Sequence, residues 1–322
     1  MKSIAFFALT LALIPLQSSL SALPDKPGQE KSSSSRGRID WNKGTLFATG
    51  LGAINRKEGD DAKSYLRARS FARMDARRNL LAIIDSVKID SMTTGQDYEA
   101  QNETIREQIS GLLKGTEIVS ERTITIGNGK MVEVTVSMPL YGENGLSSVY
   151  VPEIVERNRM VLPSTTPEDT SEDALEIPRL PAPADPPKIF QPREDVEPAH
   201  AAVSDEPITA VIIDARGMNV ERSMSPKIRR RDGSEVWGTL KVSPEFVIDQ
   251  GIVAYATSMG DAKKNRRVGG NPLVIKAAGR TGGRFTTDVV ITDEDADTLL
   301  QSNKKDGFLK EFRVVFLLDP GK

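Results

Sequence analysis

Several short stretches of this chain have the residue types that chemistry requires. Thr292-Asp293-Glu294-Asp295-Ala296-Asp297 sets carboxylates at alternate positions, as the opening of a calcium loop does. Counted from Asp293, such a loop needs Gly at its sixth place and Glu at its twelfth. Thr298 and Lys304 stand there instead, so the stretch reads as a capped helix start with acids in its first turn. Ser302-Asn303-Lys304-Lys305 matches the S-x-x-K of penicillin-recognising enzymes, but the companion S-D-N and K-T-G elements are missing. Gly50-Leu51-Gly52 could belong to a phosphate-cradling loop. The third Gly of that motif is absent, with Arg56 near its place, and no Lys-Ser/Thr pair follows. Close approach of a helix to a strand explains these glycines more simply.

Composition removes most other active-site designs. There is no Cys, which excludes disulfides, thiolate metal sites and cysteine nucleophiles. The one His, His200, lies in a Pro- and Ala-rich stretch that gives an imidazole nothing to hold it for general-base or ligand work. No catalytic, cofactor-binding or metal-ligating set is therefore assigned. The remaining enzymatic reading is a periplasmic ligand-binding protein or a carboxylate-dependent hydrolase that brings together a pair among Asp214, Asp288 and Asp293.

Charge points to surfaces instead. Lys and Arg number 43 against 45 Asp and Glu, so partner choice rests on local patches. Basic residues gather at Arg67, Arg69, Arg73, Arg77 and Arg78, at Lys227 with Arg229 to Arg231, and at Lys263, Lys264, Arg266 and Arg267. The last four, beside Gly269-Gly270, form the candidate interaction patch for an envelope protein or an anionic envelope polymer. Aromatics make up only 5% of the chain, too few for the stacking that nucleic-acid recognition uses. A homo-oligomer is compatible with this composition.

The elements that must carry these residues follow from pattern. Lys2, the apolar run Ile4 to Leu16 and the small or polar Ser18 to Ala22 make a secretory signal over residues 1–22, with cleavage expected after Ala22. That run is too short to span a bilayer, and no later segment approaches the requirement. Residues 23–37, with Ser32 to Ser35, read as a polar tether, and 146–207 as a Pro-rich acidic linker that holds two modules apart.

Between them lies an α+β unit over residues 38–145. Thr45 to Ala53 is a strand, and Asp60-Asp61 caps a helix that runs from Ala62 to Ile89. Tyr65, Ala68, Ala72, Ala76, Leu80, Ile83 and Val87 form its buried stripe. One further helix is expected from Tyr98 to Leu113. A hairpin follows, with strands Ile118 to Ile126 and Met131 to Leu140 and an Asn128-Gly129 turn. Residues 208–322 read as a second, mixed α/β domain. It contains a hairpin around Asp232-Gly233, a helix start at Ser243-Pro244, strands at Thr209 to Asp214, Ile252 to Tyr255, Leu273 to Ala278, Thr287 to Ile291 and Phe312 to Leu318, and helices near Gly260 to Asn265 and Asp293 to Ser302. The expected fold class is α+β: a small helix-on-sheet domain, a Pro-rich linker, then a mixed α/β domain.

Three segments of the first unit carry a resemblance. Ala48-Thr49-Gly50-Leu51-Gly52, the run Ala72 to Leu81 and the run Val132 to Leu140 resemble the Lpp-twenty type of bacterial envelope lipoprotein. Similar domains also resemble the N-terminal part of a flagellar assembly protein that builds a ring around the basal body. The resemblance covers about a third of the chain, brings no catalytic residues and implies a cell-envelope role. Lipoproteins of that family carry a Cys at the cleavage point, and this chain has none. A periplasmic, outer-membrane or surface-associated form without a lipid is therefore expected. The expected function is that of a non-catalytic envelope scaffold or interaction protein, associated with the surface or with flagellar assembly.

Overall fold

The computed structural model describes residues 29–31, 36–55, 62–161, 206–238 and 244–320. The segment read as a secretory signal, Asp60-Asp61, His200 and the proline-rich stretch beyond Val161 lie outside the described residues.

In the first unit, strands β1 (Gln29–Lys31), β2 (Gly37–Asp40) and β3 (Thr45–Ala53) are followed by helix α1 (Ala62–Ser86). Helices α2 (Gly95–Gln101) and α3 (Glu103–Lys114), strands β4 (Glu117–Ile126) and β5 (Gly129–Pro139) and helix α4 (Ser147–Val161) complete it. The sheet order is β1-β2-β3-β5-β4, antiparallel throughout. Leu46 and Ala48 of β3 and Val132, Val134, Val136 and Met138 of β5 alternate inward, and α1 lays Ala68, Ala72, Ala76, Leu80 and Ile83 over them. From Ala68 to Ile83 the stripe read from the sequence is thus the core face; Tyr65 is only half-buried, and α1 ends at Ser86, so Val87 is buried beyond the helix and not on it. A Cβ on Gly50 would lie 2.1 Å from Ala76 N, and one on Gly52 would lie 1.8 Å from Ala68 O. These glycines let backbone meet backbone.

The hydrogen bonds of β3 show why α1 also carries polar residues on its flank. β2 pairs with β3 as far as Ala48, and among the described residues no strand pairs with that edge beyond it. Arg36 O accepts from Thr49 N at 2.8 Å, Asp75 accepts from Leu51 N at 3.0 Å, and Asn79 donates to Thr49 O at 2.8 Å. Asp75 also pairs with Arg36 at 3.2 Å. The resemblance-bearing run Ala72 to Leu81 therefore finishes a sheet edge as well as covering a face.

Several boundaries differ from the sequence reading. The single helix expected from Tyr98 to Leu113 is two helices, because Asn102 has extended backbone, ends α2 and caps α3 by accepting from Thr104 N. The hairpin turn is Gly127-Asn128, with positive φ at Gly127 alone, the pattern of a type II′ turn, so the expected Asn-Gly turn is shifted by one residue. β1 falls inside the span read as tether. Helix α4 occupies the start of the span read as linker, with Pro152 inside it; its Val149, Tyr150, Val151 and Ile154 are buried. Burial of one apolar face outweighs the hydrogen bond that Pro removes.

The second unit runs β6 (Ala210–Asp214), β7 (Ile228–Arg229), β8 (Glu235–Trp237), α5 (Pro244–Gln250), β9 (Ala254–Ala256) and α6 (Met259–Lys264). It continues with β10 (Pro272–Lys276), β11 (Gly279–Thr281), β12 (Asp288–Val290), α7 (Asp293–Asp306) and β13 (Val314–Leu317). One sheet, ordered β10-β6-β13-β9, is parallel at every pairing. Its central strands are unbroken apolar runs, Ala210 to Ile213 and Val314 to Leu317, as burial on both faces demands. A second sheet, β11-β12-β7-β8, contains the expected Asp232-Gly233 hairpin. The chain is therefore an α+β protein of two domains.

Those domains are docked, and this corrects the picture of modules held apart by a spacer. One continuous core contains Ile39, Trp41, Leu140 and Ile154 together with Val247, Tyr255 and Phe316. Trp41 meets Tyr255 edge to face at 5.5 Å. The end of α5 is satisfied across the boundary: Ile248 O accepts from Gly142 N at 2.7 Å and from Ser147 Oγ at 2.6 Å. On another side, the loop between α1 and α2 offers three carbonyls. Lys88 O, Ile89 O and Ser91 O accept from Met224 N, Ser225 N and Phe285 N at 2.8 to 3.0 Å. Lys88 pairs with Glu221 at 3.2 Å and Arg284 with Asp97 at 2.9 Å at the same seam.

Candidate functional site

The four cations chosen from sequence divide in two. Lys263, Lys264 and Arg266 are exposed, the lysines in the last turn of α6, where cations suit the helix dipole. Arg267 turns inward. Its guanidinium donates to Ile252 O and Phe312 O at 3.2 Å, to Gly251 O at 3.1 Å and to Gln250 O. Burial pulls it below the usual arginine range, while Tyr141 of the first domain opposes that shift. Arg267 thus fastens the turn after α5, and the Tyr141 ring lies against Gly251 in that turn. It is a structural clamp at the domain seam, and the surface patch contracts to Lys263, Lys264 and Arg266.

The three acids of the hydrolytic reading are each held by their own arginine. Burial pushes the Asp214 carboxyl up, but hydrogen bonds from Arg216 at 2.9 and 2.6 Å more than offset this and hold it below the ordinary range. Asp288 is buried on β12, where Arg229 donates to it at 2.8 Å; desolvation nevertheless raises its pKa. Asp293 pairs with Arg230 at 3.6 Å, beside the closer Arg230–Asp297 pair at 2.6 Å. Asp214 and Asp288 stand on different sheets. The would-be calcium stretch is the start of α7, where Thr292 caps by accepting from Asp295 N at 3.0 Å. Among the described residues, no three carboxylate or imidazole side chains gather as a metal would need.

The surface that the sequence reading passed over is the outer face of α1. Its exposed positions are Ala62, Lys63, Leu66, Arg67, Arg69, Ser70, Phe71, Arg73, Met74, Arg78, Ala82 and Ser86. None is acidic. Leu66, Phe71 and Met74 are 57%, 60% and 53% exposed, which is unusual for large apolar side chains brought together on one helix face. Arg69 is drawn to the edge strand, where both its bonds to Glu121, at 2.8 and 2.9 Å, hold that carboxyl low with help from Tyr65. Asp75, the acid nearest the face, is turned to the sheet edge. Lys63, Arg67, Ser70, Met74 and Arg78 recur at helical steps of three and four, so they form one row flanked by Leu66 and Phe71. The arginines were visible in the sequence. Their apolar neighbours were hidden because the Ala-rich inner stripe already accounted for a core-facing helix.

Among the described residues, no helix is long and apolar enough to cross a membrane. No curated protein matches the chain at a significant level. Residues 210–320, which begin at the first residue of β6 and contain the whole of the parallel sheet, match a family model described as the second domain of Treponema pallidum Tp0624.

Proposed function

We propose that this chain is an exported bacterial cell-envelope protein that works by binding, as a scaffold or interaction protein, and that the outer face of α1 is the surface it offers to an anionic envelope component. The observation that carries this reading is the all-basic and apolar character of every large exposed side chain on a 25-residue helix, in a chain whose net charge is −2. Cations interleaved with Phe, Leu and Met suit a partner with negative headgroups or charged groups above an apolar layer. The signal segment supports an envelope setting. So does the resemblance of the first domain to the Lpp-twenty type, with surface or flagellar assembly as the process served. Asp214, Asp288 and Asp293 are each engaged by an arginine, which favours binding over carboxylate hydrolysis.

The test uses the mature protein with vesicles of phosphatidylglycerol in phosphatidylcholine and, separately, a soluble anionic polysaccharide. Binding is expected at low salt and should weaken steeply as salt rises. Arg73→Glu with Arg78→Glu should weaken it about tenfold or more, at roughly 1 kcal/mol per charge removed. Phe71→Ser should reduce binding to vesicles and leave binding to the polysaccharide unchanged. Lack of association with either probe at low salt sinks the reading.

A further inference from the structure

Two carboxylates that the sequence reading passed over meet beneath the domain seam. Asp85 lies in the last turn of α1 and Glu99 lies near the end of α2, one turn beyond Gly95, so the close approach of the helices at Gly95 sets the two carboxyl groups where each acts on the other's proton. Two carboxylates so placed can share a hydrogen bond only if one holds a proton. Each also sits where its helix exposes carbonyl groups, the end of the dipole that disfavours negative charge. Gly95 brings the two helices close: a Cβ there would lie 2.2 Å from Ile84 O and 2.8 Å from the Tyr150 hydroxyl.

The surroundings give little relief to a second charge. Tyr150 of α4 is fully buried, and its hydroxyl has no hydrogen-bond partner among the described residues; the same holds for Glu99 Oε1. Asp90 in the loop and Glu153 on α4 add negative charge around Tyr98, against which Arg157 stacks at 4.5 Å. Among the described residues, the cation that acts on Glu99 is Arg106 of α3, which donates to Glu99 O at 3.0 Å. Burial, followed by Asp85, pushes Glu99 up to about 7 against the pull of Arg106. Desolvation raises Asp85 as well.

The loop between the two acids is the one that holds the second domain. Gly95 N bonds to Val87 O at 2.9 Å, and Asp90 Oδ1 accepts from Met92 N and Thr93 N, so Val87 to Gly95 is a tight loop. From it, Lys88 O, Ile89 O and Ser91 O receive the amides of Met224, Ser225 and Phe285. Anything that spreads α1 from α2 moves these carbonyls.

We infer that the Asp85–Glu99 pair is a proton-operated latch on domain docking: with one proton shared, α1 and α2 stay together and the loop grips the second domain, and loss of that proton drives the carboxylates apart and loosens the grip. The sign follows from linkage. An acid raised in the folded state binds its proton more tightly there than in the open chain. The folded contacts are therefore stabilised on the acid side and weaken as pH rises from the ordinary carboxylate value to about 7, levelling off above it. Between pH 6 and pH 8 that shift corresponds to about a tenfold change in the opening equilibrium.

Hydrogen exchange on the full mature chain reads the latch directly. After correction for intrinsic exchange rates, the amides of Met224, Ser225 and Phe285 should lose about tenfold protection from pH 6 to pH 8. In Glu99→Gln the loss should vanish, with protection at both pH values close to that of the wild type at pH 6. Equal protection at the two pH values in the wild type overturns the latch, and so does a pH dependence that survives in Glu99→Gln. If Glu99→Gln does not fold, carboxyl-carbon NMR of the wild type decides the matter. A glutamate titrating near 7 together with the amide changes sustains the latch, and no glutamate titrating above the ordinary range overturns it.

Discussion

Gly50 shows how much one missing methyl group sets. With Cβ absent, Ala72 and Ala76 of α1 rest directly on β3, and every other contact on that face follows from the short distance. Gly50→Ala would push a Cβ to 2.1 Å from Ala76 N and 2.3 Å from Ala72 O, both backbone atoms that cannot rotate away. The variant should lose about 3 kcal/mol or fail to fold, which denaturant unfolding would measure. A Gly50→Ala protein as stable as the wild type would mean that α1 and β3 do not pack this closely. These glycines were legible in sequence because the phosphate-loop reading failed on its own terms, leaving helix approach as their use. Arg267 was not legible: its neighbours Lys263, Lys264 and Arg266 are surface cations of the same kind, and only the fold supplies the carbonyls that draw it inward.

Among elements, local pattern was most informative where one face is buried and the other wet. The inner stripe of α1 from Ala68 to Ile83 and the alternation of β5 appear as read. Pattern was least informative where chain-distant pieces complete an element. Nothing local announces that β6 and β13, a hundred residues apart in sequence, pair in parallel, or that α4 forms despite Pro152 because its apolar face finds the core. The break at Asn102 lies between these extremes, since Asn is a strong cap but a tolerable interior residue. In the structure its side chain accepts from Thr104 N at 3.0 Å, and its amide reaches Glu153 of α4 at 3.5 Å. Asn102→Ala removes the cap and should cost about 1 kcal/mol, lowering the urea midpoint without changing the slope. An unchanged midpoint would show that α2 and α3 are continuous and that Asn102 is an ordinary interior residue.

At the scale of the whole molecule, docking decides whether this is one folding unit or two. The proline-rich stretch suggested independence, yet the buried polar bonding crosses the seam. Gly142 and Ser147 cap α5, and the Tyr141 ring, its hydroxyl pushed up to about 12 by burial, lies against Gly251 beside Arg267. A seam built on fixed hydrogen bonds and one ring fitted to a glycine should transmit unfolding, because opening it leaves the carbonyl of Ile248 without the donors that satisfy it. Gly251 has φ of 75° and no room for a Cβ, which would stand 2.3 Å from the Tyr141 ring. Gly251→Ala therefore combines left-handed strain with displacement of the ring, and both penalties fall on the seam rather than on either domain's own sheet. Calorimetry of the wild type should show one cooperative transition. Gly251→Ala should split it into two, with the second domain melting apart from the first. One undivided transition in the variant would mean that the Tyr141–Gly251 contact does not carry the coupling; two transitions already present in the wild type would mean that the domains do not depend on each other, and a latch at Asp85 and Glu99 would then have no docked partner to release.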